Sequence, residues 1–228
     1  MTQFEFIRPH SRSGLITLSD AARIADSLRR GSLAVLPTET GYMLAALATS
    51  IPAIERAFAV KSRSRAQVMH VACAGVDMAA SIGVLTPSAL RLIGEFTPGP
   101  LSVVVAKTPR LPDDLVAVNG TVGIRIPDHP ATLQVIRAVG APLTATSLNV
   151  TGTAPVPVRK AELETMNWPA GETVHIVEDD ESIRYDSGST LVRLSGADIE
   201  ILRPGPVSEA DIREAARFPG YLESAGPA

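Results

Sequence analysis

Leu33-Ala-Val-Leu-Pro-Thr-Glu-Thr-Gly-Tyr42 decides how this chain is read. An apolar run ends at Pro37, and two hydroxyls, a carboxylate and a phenol follow it on Thr38, Glu39, Thr40 and Tyr42. Consecutive apolar positions point to a strand covered on both faces, because a half-exposed strand would alternate. In open α/β sheets ligands bind beyond strand ends, so the polar segment marks one wall of a candidate cleft. Taken alone, Pro37-Thr-Glu-Thr40 reads first as the cap of a helix that follows the strand. Lys61-Ser-Arg63 arrives on the next element, and fixed cations beside hydroxyls and amides suit a small anionic or nucleotide ligand. By itself a Lys-x-Arg pair is most often a solvated face.

Outward from this stretch, helices and strands alternate. Residues 21–30 are predicted to form a helix capped by Ser19 or Asp20 and stopped by Gly31. Further helices are predicted at 52–60, at 86–96 with Pro87 in the first turn, and at 131–139 ended by Gly140. Strands are predicted at 32–36, 68–73, 101–106, 121–126, 143–146, 173–177, 190–194 and 199–202. Several links between strands are too short for a parallel crossover. The expected fold is therefore α/β, with a twisted mixed parallel/antiparallel sheet and flanking helices. No repeat or linker separates a second domain. Residues 1–207 read as one domain, and residues 208–228 as a short C-terminal helix and tail, with Ala154-Pro-Val-Pro-Val158 the candidate mobile loop.

Composition narrows the function classes. The 228 residues are 45% hydrophobic and 20% charged, enough for a substantial core. A net charge of -3 and a pI of about 5.8 argue against a protein that coats duplex nucleic acid, while leaving room for a locally basic cleft. Cys73 is the single cysteine, so no intrachain disulfide or thiolate-rich metal site is possible. His10, His70, His129 and His175 lack zinc-site spacing, and no protein-held metal is expected. Neither a P-loop, a dinucleotide fingerprint nor a GxSxG elbow occurs, so any nucleotide must be held by side-chain cations and strand-end amides. No basic-then-apolar leader opens the chain and no apolar run spans a bilayer, so the expected location is cytoplasmic, with no membrane partner.

Several strand ends carry polar residues that one cleft can share: Thr38 to Tyr42, Arg125, Ser147 with Asn149, Asp186 to Thr190, and Arg203. In order, the chain presents Pro37-Thr-Glu-Thr-x-Tyr42, Lys61-x-Arg63, Thr97-Pro-Gly-Pro-Leu-Ser102, Thr121-Val-Gly-Ile-Arg-Ile-Pro-Asp-His129, Thr146-Ser-Leu-Asn-Val-Thr-Gly152, Gly188-Ser-Thr-Leu-Val192 and Ile201-Leu-Arg-Pro-Gly205. Each block is weak alone, but together they resemble the YrdC-type family of threonylcarbamoyl-AMP synthases over residues 19–207.

That resemblance implies a YrdC-like fold with a concave ligand cleft. It implies an enzyme, an L-threonylcarbamoyladenylate synthase, that joins L-threonine, bicarbonate and ATP and releases pyrophosphate. ATP is then a substrate accompanied by Mg2+, and the product serves tRNA threonylcarbamoyladenosine modification through tRNA or partner proteins. By position, Thr38, Tyr42, Arg125 and Ser189 would meet the amino acid, with Arg125 clamping a carboxylate. Lys61 and Arg63 would be the catalytic cations on the triphosphate, and Thr121, Ser147, Asn149 and Arg203 would hold the nucleotide. His70 joins the substrate set if the preceding loop is shortened by two residues, and otherwise reads as a tucked strand histidine. Thr40-Gly-Tyr-Met-Leu44 stands where the family has Thr-Val-Tyr-Gly-Leu, the mark of a divergent member. Met43 in the glycine position either narrows the amino-acid pocket or packs beneath it. Two alternatives stay open: a paralogue handling another carbamoyl-adenylate, and a non-catalytic nucleotide- or RNA-binding module.

Overall fold

In the computed structural model, which describes residues 2–61, 69–112, 116–148, 160–195 and 198–217, the chain opens with strand β1 (Gln3–Ile7) and helix α1 (Leu18–Arg29). Thr17 caps α1, its Oγ1 accepting from the Asp20 amide at 3.1 Å. The cap thus lies before Ser19 and Asp20: Asp20 sits at the third helical position, and its Oδ2 accepts from the Thr17 hydroxyl at 2.7 Å. Strand β2 (Ala34–Thr38) runs further than the apolar stretch and turns straight back into β3 (Gly41–Ala45). The predicted helix cap is in fact a hairpin: Thr38 pairs with Gly41 around the two-residue turn Glu39-Thr40. Gly41 has φ of 110°, a conformation open to a residue without Cβ. The reversal lets β2 and β3 bury every residue in the interior of one sheet.

Helix α2 (Ile51–Lys61) leads to β4 (His70–Ala72), α3 (Val76–Ile82) and α4 (Pro87–Phe96). Then follow β5 (Leu101–Ala106), β6 (Ala117–Val118), β7 (Thr121–Arg125), α5 (Pro130–Val139) and β8 (Leu143–Ser147). The chain continues through α6 (Lys160–Glu164), β9 (Thr173–Val177), β10 (Thr190–Ser195), β11 (Asp198–Arg203) and α7 (Glu209–Arg217). The strands form one sheet in the order β1-β9-β2-β3-β8-β4-β7-β5-β10-β11, with β6 beside β7. Pairings β1–β9, β2–β9, β4–β7 and β5–β10 are parallel, and the others are antiparallel. The expected mixed twisted sheet is what the chain adopts.

Two apolar layers hold it. On one face Leu33, Val35, Tyr42, Leu44, Val71, Val103 and Ile124 pack against α2, α3 and α4. On the other, Leu36, Met43 and Leu143 pack beneath Ile24 and Leu28 of α1 and Val135 and Ile136 of α5. The terminal helix α7 joins the first layer through Ile212.

Twist gives the sheet its concavity. Arg125 pairs with Ala72, Ala72 with Leu143, and Leu143 bridges to Leu47, which continuation of the β2–β3 register sets opposite Ser32. In a flat sheet Arg125 would therefore lie about six residues, roughly 20 Å, along the strand direction from Thr38. The two are neighbours instead: Arg125 Nη2 reaches Glu39 at 2.7 Å. Four strand-to-strand steps separate β2 from β7. They accumulate roughly 80–100° of twist, enough to turn one strand across the other and bring diagonal corners together.

Candidate active site

The hairpin turn and the end of β7 meet in one densely bonded corner. Glu39 is fully buried, with Oε1 accepting from Arg125 Nη2 at 2.7 Å and Oε2 from the Asp128 amide at 2.9 Å. The Glu39 carbonyl accepts from the amides of Arg184 and Tyr185 at 2.9 and 3.1 Å. Arg125 Nη2 also donates to Thr40 Oγ1 at 2.7 Å and lies 3.5 Å from Thr38 Oγ1. Thr38 Oγ1 donates to the Gly41 carbonyl at 2.6 Å, tightening the turn. Arg125 Nε is buried and lacks a partner. A guanidinium is rarely left with an unpaired buried N–H, so this donor is a natural contact for a ligand oxygen.

Beside this corner stands a second polar group. Ser102 on β5 pairs with Arg125 on β7, and its buried hydroxyl lies 2.8 Å from Ser189 Oγ. Arg203 donates from Nε and Nη2 to the Ser189 carbonyl at 3.1 and 2.8 Å, and from Nη2 to Ser189 Oγ at 3.2 Å. Burial, together with the nearby charge of Arg125, lowers the pKa of Arg203 from its ordinary value. Two guanidinium groups that repel across a cleft gain when an anion enters between them. The turn at Thr97-Pro-Gly-Pro100, with a cis Thr97-Pro98 bond, feeds this region: Gly99 donates to the Ile126 carbonyl and Thr190 to that of Pro100.

Sheet pairing puts Thr38, Ser147, His70, Thr121, Arg125 and Ser102 on one face, since paired residues point the same way and alternate residues share a side. His70 lies over Gly123, where a Cβ would meet its ring at 2.7 Å. Thr121 stands four residues before Arg125 on β7, roughly 13 Å along the strand. That span matches an elongated ligand better than a single small anion. Lys61, at the end of α2, donates to the Leu148 carbonyl at 3.1 Å and so abuts the exit of β8 beside Ser147. Arg63 and Asn149 lie outside the described residues, as does the loop 154–158.

The family-model comparison matches residues 26–205 to the Sua5/YciO/YrdC model, described as Telomere recombination. This chain belongs to the Sua5/YciO/YrdC family. A Mycobacterium tuberculosis H37Rv member is 34% identical over 213 residues, which cover 92% of this chain and 93% of its own. The threonylcarbamoyl-AMP synthase of Mus musculus is 33% identical over 205 residues, covering 87% of this chain and 71% of its own. P. abyssi Sua5, solved in complex with L-threonine, superposes with a TM-score of 0.79 at 25% identity over 93% of this chain. The matched chain spans 60% of that Sua5 protein's length.

Within the Sua5/YciO/YrdC family frame, the sequence expectations divide. Thr38, Arg125, Ser189 and Arg203 meet at one corner of the sheet. Arg203, expected with the nucleotide residues, stands with Ser189 and Arg125. Tyr42 is the exception: it faces the opposite side from Thr38 and is buried in the layer against α2. Its phenol oxygen accepts from the Asp179 amide at 2.9 Å. Tyr42 therefore supports the wall from behind. Met43 is buried in the layer beneath α1 and α5, paired with Ser147 on the face that also carries Thr38. Glu39, Thr40 and Ser102 were legible as polar residues in the motifs, but their pairing with Arg125 and Ser189 is a tertiary fact. His129 was also missed. Fully buried, it caps α5 through Nδ1 and faces Asp179 Oδ2 from Nε2 at 3.1 Å. The Pro127-Asp-His sequence at a strand exit was the available signal.

Proposed function

We propose that this chain is an L-threonylcarbamoyladenylate synthase, joining L-threonine, bicarbonate and ATP and releasing pyrophosphate. The observation that carries this reading is the corner where Arg125, Ser102, Ser189 and Arg203 converge on one concave face. It occurs on a fold whose relative was solved with L-threonine. Arg125 pairs with the amino-acid carboxylate, and the Ser189 hydroxyl orients the amino-acid end. Thr121 and Ser147 line the nucleotide side with Asn149.

The chemistry asks mainly for positioning. The threonine amine takes up the carbon of bicarbonate with loss of water, giving a carbamate. A carbamate oxygen then bonds to the α-phosphorus of ATP as the bond to pyrophosphate breaks. Neither bond change needs a protein nucleophile. Rate comes from alignment and from stabilising phosphate charge, tasks assigned to Lys61 and Arg63. Among the described residues no group of three His, Cys, Asp or Glu side chains is placed to hold a metal ion. Magnesium enters this reading as the counter-ion carried by the triphosphate, since this ion is bound largely through substrate phosphates.

The adenylate serves tRNA modification, through tRNA or the proteins that consume the product, which places the work in the cytoplasm. No helix among the described residues is long and apolar enough to cross a membrane. Residues 1–207 are the catalytic unit in this reading, with residues 208–228 an appendage. The test is pyrophosphate release from ATP and bicarbonate with each amino acid in turn. Release that depends on threonine is expected. Release independent of threonine, or dependent on another carbamoyl acceptor, overturns the assignment.

A further inference from the structure

The least expected group in the corner is the carboxylate of Glu39. Its side chain is 0% exposed, and that of its partner Arg125 is 12% exposed. Removing both charges from water is costly, and an apolar pair of similar volume often serves stability as well. Glu39 is also committed on every side. One Glu39 oxygen takes Arg125 and the other takes the Asp128 amide, while the main-chain carbonyl holds Arg184 and Tyr185. Three chain segments thus meet at one residue: the β2–β3 turn, the exit of β7 and the segment leading to Ser189. Arg125 is gripped at Nη2 alone, by Glu39 and Thr40, while Nε keeps an unpaired N–H.

We propose that Glu39 is a positioning residue for amino-acid recognition, acting through Arg125. This rests on the function proposed above. Glu39 fixes the plane of the guanidinium through Nη2, which sets where its remaining donors point when a substrate carboxylate enters. It also offsets the Arg125 charge, so the corner holds a monoanionic carboxylate without drawing in the far more strongly charged triphosphate. Glutamine cannot replace it. The acid accepts two hydrogen bonds on two oxygens, whereas the amide has one oxygen and one NH2. Whichever way Gln is turned, its NH2 meets either Arg125 Nη2 or the Asp128 N–H, donor against donor.

The experiment measures steady-state pyrophosphate release by the full chain with threonine and ATP varied separately, beside melting curves. Glu39→Gln is expected to raise the KM for threonine about tenfold or more, the loss of one well-placed charged hydrogen bond. The KM for ATP should stay within about twofold, and Glu39→Asp should recover part of the loss. In an Arg125→Gln background, Glu39→Gln should add no further rise in threonine KM, because its action passes through the missing guanidinium. Equal rises for threonine and ATP, an unchanged threonine KM in folded Glu39→Gln, or additive effects in the double variant each overturn the proposal. Should Glu39→Gln not fold, Thr40→Val removes the other grip on Arg125 and leaves the buried acid in place. A smaller but threonine-selective rise is then expected, and no rise overturns the proposal. Wild-type chain that lacks threonine-dependent release refutes the assigned reaction itself, and Glu39's role with it; the other adverse results refute the role alone.

Discussion

Gly205→Ala is a sharp probe of the Ser189–Arg203 corner. A Cβ at Gly205 would stand 2.5 Å from the Thr190 nitrogen, 2.7 Å from the Gly188 oxygen and 2.8 Å from Thr190 Oγ1, against 3.4–4 Å for ordinary contact. The two Thr190 atoms are tied down. The Thr190 nitrogen donates to the Pro100 carbonyl at 2.8 Å, and Thr190 Oγ1 bonds both the nitrogen and the oxygen of Val207 at 2.9 Å. Relief needs a shift of nearly an ångström in one backbone segment. Overpacking of this kind costs about 1–3 kcal/mol, and one loosened buried hydrogen bond adds about 1 kcal/mol. Taking about 3 kcal/mol, and roughly 2–4 °C per kcal/mol for a chain of this size, the expected fall in Tm is about 6–12 °C. The displaced segment carries Ser189, so the threonine KM should rise as well. Gly94→Ala is the control: a Cβ there meets nothing within 4 Å. It sits in α4, where alanine is favoured by up to about 1 kcal/mol, so its Tm should rise slightly. Differential scanning calorimetry on both variants decides the matter. A Gly205→Ala melt within about 1 °C of wild type refutes the steric reasoning.

Other outcomes follow from the same geometry. Burial holds the pKa of His129 and His175 below the ordinary 6.5, against the pull of Asp179 and Glu5. Below pH 6.5 the unfolded chain therefore binds more protons, so stability present above that pH should decline as pH falls through it. His129→Asn keeps a capping side chain without the titration, and its Tm should fall less than wild type between about pH 7 and pH 5.5. Ser102→Ala leaves Ser189 without its hydroxyl partner and should cost about 1 kcal/mol in denaturant unfolding, with a higher threonine KM. Arg63→Ala should lower kcat for pyrophosphate release by roughly a hundredfold or more while Tm changes by less than about 2 °C. Full turnover in that variant removes Arg63 from the catalytic set.

How much of this was legible in the sequence depended on range. Strand β5 and helix α5 announce themselves through β-branched runs, Pro130 and Gly140. Strand β3 did not, because Gly41 to Ala45 is buried throughout and shows no alternation, while Pro37-Thr-Glu-Thr40 imitates a helix start. Strand β1 was also missed: it is short and finds its parallel partner β9 about 170 residues away. Helix α3 has seven residues, two buried positions and no side-chain cap, too little periodicity to read. In the site, Arg125, Ser189 and Arg203 were legible as elements of ordered motifs. Glu39 looked like ligand chemistry because its partner stands 86 positions later and only twist brings the two together. Met43 stayed open in the sequence, because only tertiary packing places its side chain in the layer under α1 and α5.

The diagonal folding of the sheet makes the corner a shared possession of two halves of the molecule. Thr38 and Glu39 come from the β2 half, and Arg125 and Ser102 from the β7 half, so neither half carries a binding site while the other is open. Whatever anion settles between them acts as a clasp. At a hundred times its dissociation constant it would add about 2.7 kcal/mol to the folded state. Its effect would therefore appear as slower amide exchange at both ends of the sheet, including strands that never touch it.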